Sequence, residues 1–78
     1  MATWLEDTVT ALKRLGGKAH YDAIYAEVAA IRGTKLPRSW KAIIRRTIET
    51  NSSDSDVFGG NDIFYSVNGI GQGSWGLR

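Results

Sequence analysis

The absence of cysteine from a chain of 78 residues most constrains how this sequence can fold. Neither a disulfide framework nor a thiolate-bound metal can add to its stability. A chain this short lies near the lower limit for folding by hydrophobic burial alone. Apolar residues make up 42% of the sequence and include three Trp and three Tyr, which is enough for one core. We therefore expect a single domain over residues 1–78, and its abrupt end after a strand-like segment suggests a module of a longer protein.

The cellular setting follows from what the sequence lacks. A chain without cysteine suits a reducing compartment. No apolar run approaches the roughly 20 residues of a membrane span, and no signal-peptide pattern opens the chain. We therefore expect a cytoplasmic protein without a membrane partner.

The first half of the sequence has helical periodicity. A first helix is predicted from about Trp4 to Leu15, and Gly16-Gly17 would end it because glycine accepts left-handed backbone angles. A few extended residues (18–20) lead to a second helix over residues 22–31, with Asp22 as its N-cap. The side chains predicted to be buried in these helices are Trp4, Leu5, Thr8, Ala11, Leu12, Leu15, Tyr21, Ile24, Val28 and Ile31.

A third amphipathic helix follows a turn predicted at residues 32–35. Pro37 fits the first turn of this helix, where its missing N–H costs nothing, and the helix is expected to continue to about Asn51. Its predicted inner stripe consists of Trp40, Ile43, Ile44, Thr47 and Ile48.

The last third of the chain has the composition of a loop followed by a β-hairpin. Residues 52–62 are rich in Ser, Asp, Gly and Asn, so a loop is expected there. Residues 63–67 are β-branched and aromatic, residues 68–73 form a glycine-rich tip, and residues 74–77 return as a strand. Helix, short strand, helix, helix and hairpin is the order of a winged helix-turn-helix. We therefore predict an α+β fold, a small winged helix-turn-helix with three helices plus a C-terminal β-hairpin wing.

Charge is distributed unevenly along the chain. Six basic side chains and no acidic one lie between Glu27 and Glu49, whereas the rest of the chain has four basic and eight acidic residues. The net charge of +2 conceals this difference. A positive helix on a mildly acidic body favours a polyanion, because neutralised phosphates release their counterions.

The outward face of the third helix carries side chains suited to bases. Arginine can donate twice to the O6 and N7 atoms of guanine, and glutamate can accept from the N4 amine of cytosine. A small alanine lets the backbone approach and can touch a methyl group. The predicted base-reading residues are Arg38, Ser39, Trp40, Lys41, Ala42, Arg45, Arg46 and Glu49. The predicted DNA-backbone contacts are Arg32, Lys35, Asn68, Gly69, Gln72, Gly73 and Ser74.

Three of these assignments have a simpler alternative, and for the residues of the hairpin tip it is an ordinary flexible loop. A charged helix face is most often merely solvated. Here, three features favour binding of double-stranded DNA: residues 28–48 contain no Asp or Glu, the helix is the third in its motif, and a glycine-rich tip follows. Trp40 is predicted by the helical wheel to pack in the core against the first helix. Its place in the first turn would also allow the indole edge to line a pocket for a base methyl.

Other motifs fail as functional sites. The segment from Asp54 to Gly59 begins like a calcium loop, but Phe58 and Tyr65 occupy positions that require oxygen ligands. We expect instead a turn network in which Ser and Asp side chains cap nearby N–H groups. His20, the only histidine, has no second histidine or cysteine for a triad or a zinc site, so we expect it to be structural or at the surface. The sequence therefore predicts no catalytic residue, no metal and no cofactor, and the isolated domain is not expected to be an enzyme.

Five segments carry a resemblance to a known family: Ser39-Trp40, Arg45-Arg46-Thr47-Ile48, Ser52-Ser53-Asp54-Ser55-Asp56, Asp62-Ile63-Phe64-Tyr65 and Trp75-Gly76-Leu77-Arg78. Together they resemble winged-helix domains attached to restriction endonucleases, particularly those with HNH-type nuclease domains. Such domains are similar to the C-terminal winged helix of Dpn-type methyl-directed endonucleases, which read N6-methyladenine in palindromic double-stranded GATC. The resemblance implies a reader of adenine-methylated DNA, acting through residues 38–49 on behalf of an attached nuclease. The alternatives are a winged helix that binds DNA regardless of methylation and one that docks an acidic protein partner.

Overall fold

Three helices and three strands make up the protein in a computed structural model that describes residues 3–33, 36–69 and 71–78. In chain order they are α1 (Trp4–Arg14), β1 (Lys18–His20), α2 (Tyr21–Arg32), α3 (Trp40–Thr50), β2 (Phe64–Ser66) and β3 (Ser74–Leu77). The predicted α+β class is confirmed. The element order is also compatible with the predicted winged helix.

Helix α1 begins and ends at the signals present in its sequence. The Thr3 hydroxyl accepts from the Glu6 N–H at 3.1 Å, and the Glu6 carboxylate accepts from the Thr3 N–H at 2.9 Å. These bonds from Thr3, the backbone one foremost, lower the pKa of Glu6. At the other end Gly16 and Gly17 both have positive φ, and the Gly17 N–H donates to the Leu12 carbonyl at 2.8 Å. The predicted glycine stop is confirmed, one residue earlier than expected.

Helix α2 begins directly from the sheet, which makes the predicted N-cap wrong. The capping residue is His20, whose Nδ1 accepts from the Asp22 N–H at 3.2 Å. The Tyr21 N–H donates to the Gly73 carbonyl at 2.8 Å, so the chain turns from strand to helix without a spacer. The histidine is therefore structural, as predicted. At the other end Arg32, predicted in a turn, belongs to the last turn of α2.

Helix α3 begins three residues later than predicted. The Trp40 N–H donates to the Pro37 carbonyl at 3.1 Å, so Pro37 begins a tight turn before the helix instead of its first helical turn. Ser39 is the N-cap, without a side-chain capping bond. The residues 38 and 39 therefore lie in this turn, and only residues from 40 onward are helical. The helix ends at Thr50, with Asn51 as its C-cap.

The three strands form one antiparallel sheet in the order β1-β3-β2. Trp75 in the central strand is opposite Ala19 of β1 on one side and Ser66 of β2 on the other. The returning strand has its predicted bounds, whereas β2 is shorter than the predicted 63–67. The extended residues at 18–20 thus supply an edge strand.

The core lies between the helices and the sheet, and α1 packs against both α2 and α3. Tyr25 is buried although the helical pattern did not assign it to the inner face, while Tyr21 and Ile31 are only partly buried. The buried hydrophobic residues are Ala11, Leu12, Ile24, Tyr25, Val28, Ile44, Ile48, Phe64 and Trp75.

A polar network holds the loop between α3 and β2 against the sheet. Asp62 accepts from the backbone N–H of Ser53 at 2.9 Å and from its hydroxyl at 2.8 Å. The Arg78 guanidinium donates to Asp62 at 2.8 Å and lies 3.3 Å from Asp54. Asp54 also accepts from the Ser66 N–H at 2.9 Å. The predicted capping of nearby N–H groups is confirmed for Ser52 and Ser55, which accept from the Asp54 and Val57 N–H groups at 3.2 Å. The wider network joins three of the five segments that carry the family resemblance.

Candidate nucleic-acid interface

The outward face of α3 and the turn before it form a continuous cationic surface. Two of the predicted base-reading residues, Trp40 and Glu49, are partly buried. The other six are exposed: Arg38, Ser39, Lys41, Ala42, Arg45 and Arg46. Within residues 3–33, 36–69 and 71–78, none of the four cations among them forms an ion pair. The charge of this surface is therefore available to an external anion, and the small Ala42 at its centre leaves the helix backbone accessible.

Four aromatic rings line the junction of α2 and α3, and we call Trp40, Tyr25, Tyr21 and Trp75 the aromatic row. Trp40 meets Tyr25 edge to face, with ring centroids 5.8 Å apart. Tyr25 stacks on Tyr21 at 5.6 Å with an interplanar angle of 10°, and Tyr21 is 6.3 Å from Trp75. The ring contact of Trp40 is therefore with α2, whereas its sequence position suggested packing against the first helix.

The aromatic row contacts three polar side chains of α3. The Arg45 Nη1 donates to the Tyr25 hydroxyl at 3.1 Å, and the Tyr21 hydroxyl donates to Glu49 Oε2 at 3.1 Å. The Lys41 ammonium lies 5.6 Å from the centre of the Tyr25 ring. Since residues 41, 45 and 49 are spaced by four, they form one ridge of the helix.

These contacts also affect ionisation. Burial, followed by the charge and hydrogen bond of Glu49, raises the pKa of Tyr21 far above its usual value. The Tyr21 hydroxyl therefore keeps its proton at neutral pH and stays a donor. The hydrogen bond with Tyr25 raises the pKa of Arg45, which keeps this side chain cationic.

A pocket of about 660 Å³ lies between the end of α3, the loop that follows it and the β2–β3 hairpin. Two acidic residues, Glu49 and Asp56, and Tyr21 are among the residues that line it. Among the described residues no lysine or arginine lines it. Phosphate is therefore better accommodated along the N-terminal half of α3 than in this pocket.

The residues predicted to contact the DNA backbone through the hairpin are exposed at its tip and partly buried at its base. Asn68, Gly69 and Gln72 are exposed at the hairpin tip. Gly73 and Ser74 are partly buried at its base, where their carbonyls accept from the backbone N–H groups of Tyr21 and Val67. The hairpin thus offers its tip to a ligand, while its base holds the sheet to α2.

Arg32 and Lys35 are the two cations predicted to contact DNA phosphates. The Nε of Arg32 is 2.9 Å from Asp7 Oδ2, and its guanidinium lies 3.6 Å from the centre of the Trp4 ring. With its side chain only 19% exposed, Arg32 is engaged with α1 and is poorly placed to reach a phosphate. Lys35 lies outside the described residues, so its assignment remains a prediction from sequence.

Sequence patterns missed the two tyrosines that hold the α3 ridge. The signal was present, because Tyr21 and Tyr25 are four residues apart, as are Arg45 and Glu49. The spacing does not predict how α2 is rotated relative to α3, and it is this rotation that brings the two pairs together.

The described residues contain no group of three or more His, Cys, Asp or Glu side chains that could hold a metal ion. None of the helices described is long and apolar enough to cross a membrane. Comparison of the chain with family models, curated proteins and solved structures finds no match.

Proposed function

We propose that this domain is a double-stranded DNA-binding module of the winged helix-turn-helix type, with α3 in the major groove. The observation that carries the proposal is the exposed cationic surface from Arg38 to Arg46, which contains no acidic residue. The major groove is about 12 Å wide and admits a helix of this size. Phosphate neutralisation by such a surface supplies affinity, and the groove floor supplies sequence information.

The position of each side chain suggests its role. Arg45 and Arg46 lie in the middle of α3, where a guanidinium can donate to guanine, and Glu49 can accept from cytosine. Arg38 and Ser39 lie in the turn before the helix, next to its free N–H groups, which favours a phosphate over a base. The exposed tip of the hairpin would contact the flanking backbone.

We further propose that the module reads N6-methyladenine in a short palindromic site such as GATC, on behalf of an attached restriction nuclease. The family resemblance supports this, and the partly exposed Trp40 beside Ala42 offers an apolar surface near the groove floor. Burying one methyl group contributes about 0.8 kcal/mol, or somewhat more in a tight aromatic pocket. Two methyls, one per strand, would favour the methylated site by roughly ten- to a hundred-fold.

A titration of labelled GATC duplexes at low salt tests both levels of the proposal. The fully methylated duplex is expected to bind roughly ten- to a hundred-fold more tightly than the unmethylated one, with the hemimethylated duplex between them. Equal affinities would exclude methyl reading but leave DNA binding in place. No binding to any duplex, together with binding to an acidic protein, would instead identify a protein-interaction winged helix.

Substitution of Arg45 tests the assigned surface. Arg45→Ala is expected to weaken binding roughly 5- to 150-fold and to relax specificity at one base pair, because a guanine contact is lost. Lys13→Ala is the matched control, since it removes one exposed positive charge from α1. If the two variants weaken binding equally, α3 is not the reading surface.

A further inference from the structure

We propose that Tyr21 and Tyr25 determine the base specificity of this module by holding Glu49 and Arg45 in position, without contacting DNA themselves. The inference rests on the proposed function, since it assigns specificity within the same α3 surface. It makes the two tyrosines positioning residues and Arg45 and Glu49 the groups that touch bases.

The matched spacing of the two helices is the first support. Tyr21 and Tyr25 are successive members of one ridge of α2, and Arg45 and Glu49 are successive members of one ridge of α3. The ridges run in opposite directions, so that residue 25 meets residue 45 and residue 21 meets residue 49, each at 3.1 Å. The polarity of each contact also matches, because one hydroxyl accepts from a guanidinium and the other donates to a carboxylate.

The rigidity of the tyrosines is the second support. Tyr25 is only 8% exposed and lies between the rings of Tyr21 and Trp40. Tyr21 is stacked on Tyr25 and also contacts Trp75. Both hydroxyls are therefore fixed in space, whereas Arg45 is exposed and would otherwise sample many rotamers. Ordering a side chain before the ligand arrives lowers the entropy lost on binding and narrows the geometry that it can accept.

The remaining hydrogen-bonding capacity of the held groups is the third support. A guanidinium has five N–H donors, and the bond to Tyr25 uses one of them, which leaves donors for both guanine O6 and N7. The Glu49 carboxylate receives the Tyr21 bond through Oε2, so Oε1 can accept from a cytosine amine. The raised pKa of Tyr21 keeps that hydroxyl protonated, so it remains the donor of the bond to Glu49.

Selection from a randomised duplex library, followed by sequencing of the bound fraction, tests the inference for any target sequence. Tyr25→Phe removes one oxygen and keeps the ring. It is expected to flatten the base preference at the position that Arg45→Ala flattens, by about ten-fold, while binding to bulk duplex changes less than about two-fold. Tyr21→Phe and Glu49→Gln are expected to share a different position. Tyr65→Phe is the control, because it also removes one tyrosine hydroxyl, from a ring that lies over Gly76 in the sheet.

A double-variant comparison separates positioning from general damage to the fold. In an Arg45→Ala background, Tyr25→Phe should cause no further loss of base preference, since the group that it positions is already absent. A further loss of similar size in that background would overturn the inference. An unchanged preference in Tyr25→Phe alone would also overturn it, and the DNA-binding proposal would stand. A wild-type protein that selects no duplex would remove both.

A measurement on the unaltered protein keeps the inference testable if the tyrosine variants fail to fold. NMR relaxation of the arginine side-chain nitrogens in the free protein should show that Arg45 Nε is more ordered than Arg46 Nε. Of these two arginines, Arg45 is the one bonded to an aromatic hydroxyl. Equal mobility of the two guanidinium groups would show that Tyr25 does not hold Arg45, whatever its effect on stability.

Discussion

The ion pair of Asp7 and Arg32 joins the first turn of α1 to the last turn of α2. Both side chains are largely buried, at 9% and 19% exposed, and the guanidinium also covers the ring of Trp4. Removing one partner of such a pair leaves the other charge without compensation in a poorly hydrated place. We therefore expect this pair to contribute more to stability than the exposed ion pairs among the described residues.

Asp7→Asn is expected to lower the free energy of unfolding by about 2–4 kcal/mol, measured by urea denaturation. Glu27→Gln is the matched control, because it breaks the exposed pair with Arg14 at 3.5 Å and should cost about 1 kcal/mol or less. Similar losses in the two variants would show that burial adds nothing to the inner pair.

The carboxylate of Asp62 makes stability depend on acid pH. Hydrogen bonds from Ser53, first its backbone N–H, and the charge of Arg78 lower the pKa of Asp62 below its usual value of 3.8. A lowered folded-state pKa means that this contribution is complete above the unfolded value and is lost as pH falls through the folded one. The relevant window therefore lies below about pH 5.

Asp62→Asn is expected to be less stable than the wild type at neutral pH, and this difference should shrink as pH falls from about 5 to 2. Urea midpoints of both proteins across that range provide the measurement. The lowered pKa of Glu6 acts equally in both proteins and cancels in the comparison. A difference that stays constant with pH would mean that the loop does not depend on the Asp62 charge.

Between β2 and β3, an aromatic ring lies over a glycine. Tyr65 is directly opposite Gly76, and a Cβ at residue 76 would come within 2.5 Å of the Tyr65 ring. The ring occupies the space that any larger residue would need. This close approach explains a glycine in the central strand, where glycine is otherwise unfavourable.

Gly76→Ala is expected to destabilise the protein by about 1–3 kcal/mol, because the ring must leave its position. The second change Tyr65→Thr removes the ring and should make the cost of Gly76→Ala much smaller in that background. Thermal unfolding of the four proteins in this cycle gives the coupling. Additive effects would show that the ring does not restrict residue 76.

The late start of α3 changes the role of the residues before it. Because the Pro37 carbonyl closes a turn onto Trp40, Arg38 precedes the helix and does not share its outward ridge. Arg38 is therefore a phosphate contact in the proposed complex, although the helical wheel assigned it to a base. The two roles predict different effects of Arg38→Ala and Arg45→Ala on DNA binding.

Binding to duplex DNA is expected to weaken steeply with salt, because four exposed cations lie together on α3 and the turn before it. Arg38→Ala should reduce the slope of log affinity against log salt by about one and weaken all duplexes alike. Arg45→Ala should in addition change the preferred sequence. If Arg38→Ala changes the base preference instead, its assignment to phosphate is wrong.

Most of the segments that carry the family resemblance have a structural role in this molecule. Three of the five segments are joined by Arg78, the residue that follows β3. Its guanidinium donates to Asp62 and pairs with Asp54 in the acidic loop. Their side chains hold the loop to the sheet and do not lie on the α3 surface. Of the five segments, only Ser39-Trp40 and Arg45-Arg46-Thr47-Ile48 lie in α3 or the turn before it, where DNA binding is proposed.

The sequence alone determined the class and order of the elements, the glycine stop of α1, the bounds of β3 and the cationic helix. These features depend on local periodicity, local turn chemistry and charge spacing, all of which are contained in short stretches of chain. Tertiary structure alone decided that Arg32 pairs with Asp7, and that Tyr25 and Tyr21 hold Arg45 and Glu49. These contacts join residues 20 or more positions apart, and they depend on how the helices rotate against one another when the core packs. That rotation decides which cations face outward, and thus which residues are available to the proposed DNA ligand.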